Sequence, residues 1–175
     1  MLKKSIFVSL CLLGAQLLSA APAGGRLEPH PEGPRYCKTD PSKSQVLFEN
    51  GKVNFEIVYT RSHRPSILAA SELADLLGKA LGVKLRPCRE PSGKVPSLIV
   101  GDAAAARAAG FDPQKMERGA FRIKTVGRNI VLAGRDEEQF SDGTFYAVYD
   151  FLERFVGIRS YFPGEVGTII PKLKK

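Results

Sequence analysis

The chain has 175 residues, 43% of them hydrophobic and 25% charged, and 26 Lys and Arg against 18 Asp and Glu give it a net charge of +8. The basic residues are scattered, with no run of five and no interleaved aromatics, which argues for a solvated surface and against a nucleic-acid interface. Two histidines and three cysteines are too few for the usual structural zinc sites and leave little material for a histidine-based hydrolytic triad.

The first twenty residues read as a cleavable signal peptide. Lys3 and Lys4 supply the positive start, and Ile6 to Leu18 is a 13-residue apolar stretch, too short for a stable transmembrane helix. Leu18-Ser19-Ala20 places small residues where a signal peptidase cuts, with Ala20 the expected last residue removed and Ala23 a second candidate. Cleavage removes two lysines, leaving 24 basic against 18 acidic residues, or +6. The expected location is secreted or periplasmic, with no membrane segment after cleavage. Only Cys37 and Cys88 then remain, an even number in an oxidising compartment, so a Cys37–Cys88 disulfide is expected over two free thiols. Such a bond would contribute about 4 kcal/mol on the chain-entropy model.

Residues 21–44 contain five prolines and the Gly24-Gly25 pair and read as an irregular leader. The folded unit is expected over residues 45–171, followed by a basic tail at 172–175. Gln45 to Glu49 and Val53 to Thr60 are strand-like, and Asn50-Gly51 between them is a hairpin signal. Ser66 is placed to cap a helix carrying Leu68, Ala69, Leu73, Leu76, Leu77 and Ala80 on its apolar side, ended by Gly82. Val83 to Pro87 and Ser97 to Gly101 follow as strands. Asp102 is expected to cap a short alanine-rich helix that stops at Gly110. Phe121 to Val126 and Asn129 to Ala133 form a second predicted hairpin about Gly127-Arg128. Asp142 is placed to cap a last helix that buries Phe145, Val148, Tyr149, Leu152, Phe155 and Val156. Short strands at Ile158 to Phe162 and Gly167 to Ile170 close the chain. The order implies an α+β fold, an α/β sandwich in which about three helices pack on a mixed β-sheet.

No nucleophile elbow, zinc-protease helix, phosphate loop or dinucleotide fingerprint occurs, and no catalytic residue, metal or cofactor is expected. Asp136, Glu137 and Glu138 read as a charged loop and helix start. The one local cluster suited to binding is Arg61, His63 and Arg64, just before the helix at Ser66. Two guanidiniums there would add to the helix's free N–H groups in holding a uronate, sulfate or phosphate. The plainer reading of the same cluster is an exposed loop.

The last third carries a more specific pattern. Asp142-Gly143-Thr144-Phe145-Tyr146-Ala147-Val148-Tyr149-Asp150-Phe151-Leu152-Glu153 leads into Phe155-Val156-Gly157-Ile158-Arg159-Ser160-Tyr161-Phe162-Pro163-Gly164-Glu165 and Gly167-Thr168-Ile169-Ile170-Pro171. It resembles the domain that precedes the catalytic barrel in family 67 α-glucuronidases and related secreted proteins of glycoside-hydrolase type. Ala69-Ala70-Ser71-Glu72-Leu73, Leu98-Ile99-Val100-Gly101 and Gly119-Ala120-Phe121-Arg122-Ile123 agree in order, so the resemblance spans about residues 45 to 171. A similar domain precedes the barrel of family 20 hexosaminidases. Within the motif, Gly143 is expected to let the helix start close against the sheet, and the aromatics read as core rather than sugar contacts. The resemblance implies a non-catalytic accessory domain whose partner is a catalytic barrel domain or a carbohydrate. The family's catalytic acids lie in a barrel that has no counterpart in these residues, so its activity is not implied. The alternative is a stand-alone module for carbohydrate or acidic glycan, with Arg61, His63 and Arg64 as its site.

Overall fold

The computed structural model describes residues 46–60, 64–137, 141–162 and 164–173. The chain divides into two units, Met1–Pro41 and Ser42–Lys175, and every described residue belongs to the second. The expected signal peptide and leader, with Cys37, therefore lie outside the described residues, as do Arg61, His63 and Glu138.

The fold is α+β. It opens on a small hairpin of β1 (Phe48–Glu49) and β2 (Lys52–Val53). Asn50 and Gly51 turn it with φ of 51° and 74°, the left-handed pair that matches the twist of the flanking strands. The expected strand from Val53 to Thr60 is split: after β2 the chain leaves the hairpin and joins the main sheet as β3 (Glu56–Tyr59).

The four-stranded sheet has the order β3, β4 (Ser97–Val100), β6 (Asn129–Gly134), β5 (Phe121–Val126). β3, β4 and β6 are parallel, with Ile57 opposite Leu98 and Leu98 opposite Ile130; β5 returns antiparallel beside β6. The arrangement follows from the connections. The 18-residue helix α1 (Arg64–Leu81) links β3 to β4, as a parallel crossover requires, whereas Gly127-Arg128 closes β5 on β6 as a tight hairpin.

Side-chain alternation along the strands builds a core on each face. Ile57, Leu98, Val100 and Leu132 point to the side covered by α1 and by α3 (Gly143–Phe151), where they meet Leu73, Leu77, Val148 and Leu152. Val131 and Ala133 point the other way, onto Ala106 of α2 (Ala103–Ala108) and onto Ala109 and Phe111. Leu73, Leu98, Leu132 and Leu152 are fully buried, and each such side chain contributes roughly 1.5–3 kcal/mol of transfer free energy. At the tail, Leu173 donates its N–H to the Ala80 carbonyl at 3.0 Å, which ties the chain back to α1.

Several local expectations are corrected. Ser66 is not a cap: α1 begins two residues earlier, and the buried Ser66 hydroxyl donates across the fold to the Gly101 carbonyl at 3.0 Å. Leu68 is 48% exposed because the buried stripe runs through Ala69, Ala70, Leu73, Ala74 and Leu77 instead. The predicted strand at Val83 to Pro87 shrinks to a single parallel bridge at Cys88, which pairs with the outer edge of β3. Beyond Phe151 the last helix widens into a π-type turn, Leu152–Val156. The wider turn keeps Leu152 and Val156 inside but rotates Phe155 outward to 57% exposure, contrary to its expected burial.

Candidate functional site

Ligands of open α/β sheets commonly sit beyond the C-terminal ends of the parallel strands. Here β3, β4 and β6 end near Thr60, Asp102 and Arg135, beside the start of α1. The groups at this edge are engaged in holding the fold. Asp102 caps α2 as expected, its Oδ1 accepting from the Ala105 N–H at 2.7 Å while Oδ2 accepts from the Thr60 hydroxyl at 3.0 Å. Asp142 occupies the position before α3 but makes no capping bond with its side chain. That role falls to Asp136, in β7 (Asp136–Glu137), which pairs with β8 (Ser141–Asp142). Asp136 accepts from the Thr144 N–H at 2.7 Å and from its hydroxyl at 2.5 Å. Glu137 bridges Arg135 at 2.6 Å and Arg118 at 3.3 Å. The acidic run is thus a structural network over its described part rather than a free charged loop.

Of the expected anion cluster, Arg64 opens α1 as an exposed residue, and Arg61 and His63 fall outside the described residues. The half-buried Cys88 forms no disulfide among the described residues; its thiol lies 3.4 Å from the Ile57 carbonyl oxygen. Burial pushes that thiol up, and the nearby charge of Glu56 adds to the effect. Among the described residues no group of three or more His, Cys, Asp or Glu is placed to hold a metal ion, and no helix is long and apolar enough to cross a membrane.

A concavity among the described residues lies elsewhere, on the outer side of α1. It is a cleft of about 610 Å³ between the polar stripe of α1, the end of α3 and a C-terminal hairpin, a size within the usual range for small-molecule sites. The hairpin pairs β9 (Arg159–Ser160) with β10 (Thr168–Ile169), Thr168 opposite Ser160. α1 supplies Glu72, Asp75 and Lys79, at positions that share one helix face. Lys79 is ion-paired to Asp75 at 2.8 Å. From α3, Tyr149 donates its hydroxyl to Glu72 at 3.1 Å. Burial raises the Tyr149 hydroxyl's pKa, helped by the charge and the hydrogen bond of Glu72, so the phenol stays protonated as the donor. Tyr161 and Phe162 form the opposite wall, 64% and 56% exposed.

Sequence reasoning missed this site. The spacing of Glu72, Asp75 and Lys79 marks a polar helix face, but nothing local says that a hairpin ninety residues away rises beside it. Tyr149, expected in the core, is 38% exposed. Comparison with known protein families and with curated proteins finds no match for this chain.

Proposed function

We propose that this chain is a non-catalytic accessory domain of an exported carbohydrate-active protein system of glycoside-hydrolase type. The observation that carries the reading is the C-terminal hairpin. In the family that the sequence resembles, this is where the chain passes into the catalytic barrel. Here the same segment presents Tyr161, Phe162, Val166 and Ile169 at 64, 56, 92 and 56% exposure, a concentration of apolar side chains that suits contact with another domain or ligand. Two further features support it. The mixed sheet with three helices agrees with the α+β fold expected from the order of elements over residues 45–171, and the described acids of the 136–138 run, Asp136 and Glu137, are committed to capping and ion pairs.

The test is direct. Purified protein incubated with aryl glycosides and glucuronoxylan fragments should release no product above a buffer control. Reproducible turnover above that control, co-eluting with the purified protein, would overturn the reading.

A further inference from the structure

We infer that the cleft between α1 and the β9–β10 hairpin is a binding site for a neutral oligosaccharide. The inference rests on the accessory-domain reading only for its choice of sugars as the ligand class. The wall chemistry does the rest. Tyr161 and Phe162 stand exposed on one side and Tyr149 half-covered on the other. Aromatic faces carry negative charge density and accept the slightly positive C–H face of a pyranose ring. Beside Tyr149, Glu72 and Asp75 present carboxylate oxygens, which accept hydrogen bonds and donate none. Sugar hydroxyls are the donors that such oxygens suit.

Charge selects among sugars. Without its expected signal the chain carries +6, yet the cleft holds two carboxylates and a single ammonium, and Lys79 is already paired with Asp75. The local balance of −1 repels a uronate or a sulfate. This reverses the ligand preference expected for the Arg61, His63 and Arg64 cluster, so the two sites are separable by experiment. Glu72 is held in place by the Tyr149 hydroxyl, and that bond leaves its other carboxylate oxygen available to a ligand.

The experiment is a titration of the mature, isotopically labelled protein with xylohexaose, cellohexaose and chitohexaose, followed by amide chemical shifts. A glucuronic-acid-substituted xylooligosaccharide serves as the acidic comparison. At least one neutral hexaose should bind saturably with a Kd of about 1 mM or tighter, shifting residues of α1 near Glu72 and of the hairpin near Tyr161. The acidic oligosaccharide should bind more weakly than its neutral counterpart. Tyr161→Ala should weaken binding about tenfold, and Tyr161→Trp should restore it. Because Tyr161 is exposed, neither variant should alter the thermal midpoint. Glu72→Gln should weaken binding without abolishing the stacking contribution. Absence of saturable binding by all three neutral sugars overturns the site, as does binding that Tyr161→Ala leaves unchanged. Tighter binding of the acidic sugar than of its neutral counterpart, with shifts near Tyr161, also overturns it. None of these failures bears on hydrolysis, which tests the accessory-domain reading separately.

Discussion

Gly134→Ala should destabilise the protein by about 3 kcal/mol or more, the upper range for overpacking a close contact. β6 ends against the first residue of α3, with no room for a side chain between them. A Cβ on Gly134 would lie 2.3 Å from the Gly143 carbonyl carbon and 2.5 Å from its oxygen. From the other side, a Cβ on Gly143 would lie 2.6 Å from the Arg135 nitrogen and 2.9 Å from the Ala120 oxygen. All these neighbours are backbone atoms, so no rotamer change relieves the clash. The helix would have to move off the sheet, taking Ala147 and Val148 out of the core. Gly82 gives the internal comparison. It has a φ of +69°, but a Cβ added there would meet nothing within 4 Å, so Gly82→Ala should cost only the left-handed backbone penalty of roughly 1–2 kcal/mol. Urea unfolding followed by circular dichroism checks both. Equal midpoints for the two variants would contradict this account of the β6–α3 contact.

Glu56→Gln should cost about 1.5–3 kcal/mol at neutral pH, the range for hydrogen bonds to a charged group, and the cost should shrink in acid. Glu56 opens β3, and its carboxylate accepts from the Ser92 N–H at 2.9 and 3.0 Å and from the Ser97 hydroxyl at 2.8 Å. Burial tends to raise its pKa, but these hydrogen bonds together outweigh burial and hold the carboxyl below its ordinary value. The folded pKa is therefore lower than the unfolded one. The stabilisation is complete above the unfolded value of about 4.3 and is lost as the pH falls through the folded value. The parent should lose stability below about pH 5 more steeply than Glu56→Gln, and the two unfolding midpoints should converge. A gap that stays constant from neutral pH into acid would show that the ionised carboxylate is not what holds the Ser92 loop to β3.

The sequence is legible where local rules act alone. Asn50-Gly51 and Gly127-Arg128 announce their hairpins, Asp102 its cap, and Gly143 its close approach to the sheet. It misleads where a distant partner decides. Ser66 has the chemistry of a cap, but the Gly101 carbonyl claims its hydroxyl and the helix starts earlier. Asp142 stands where a cap belongs, but Asp136 reaches Thr144 first. Phe155 fits the apolar face of an ideal helix, but it falls in the π-type turn and stands exposed. The cleft is hidden for the same reason. Glu72 and Asp75 read as solvated helix surface until the β9–β10 hairpin stands beside them.

Export is the claim on which the functional reading stands, because polymeric glycans are met outside the cytoplasm. Its basis is the charged start at Lys3 and Lys4, the short apolar run to Leu18 and the small residues through Ala20. Intact-mass analysis of the protein from the periplasmic or culture fraction tests it most directly. The exported chain should begin at Ala21 or within a few residues of it. Full-length chain starting at Met1, recovered from the cytoplasmic fraction alone, would contradict it.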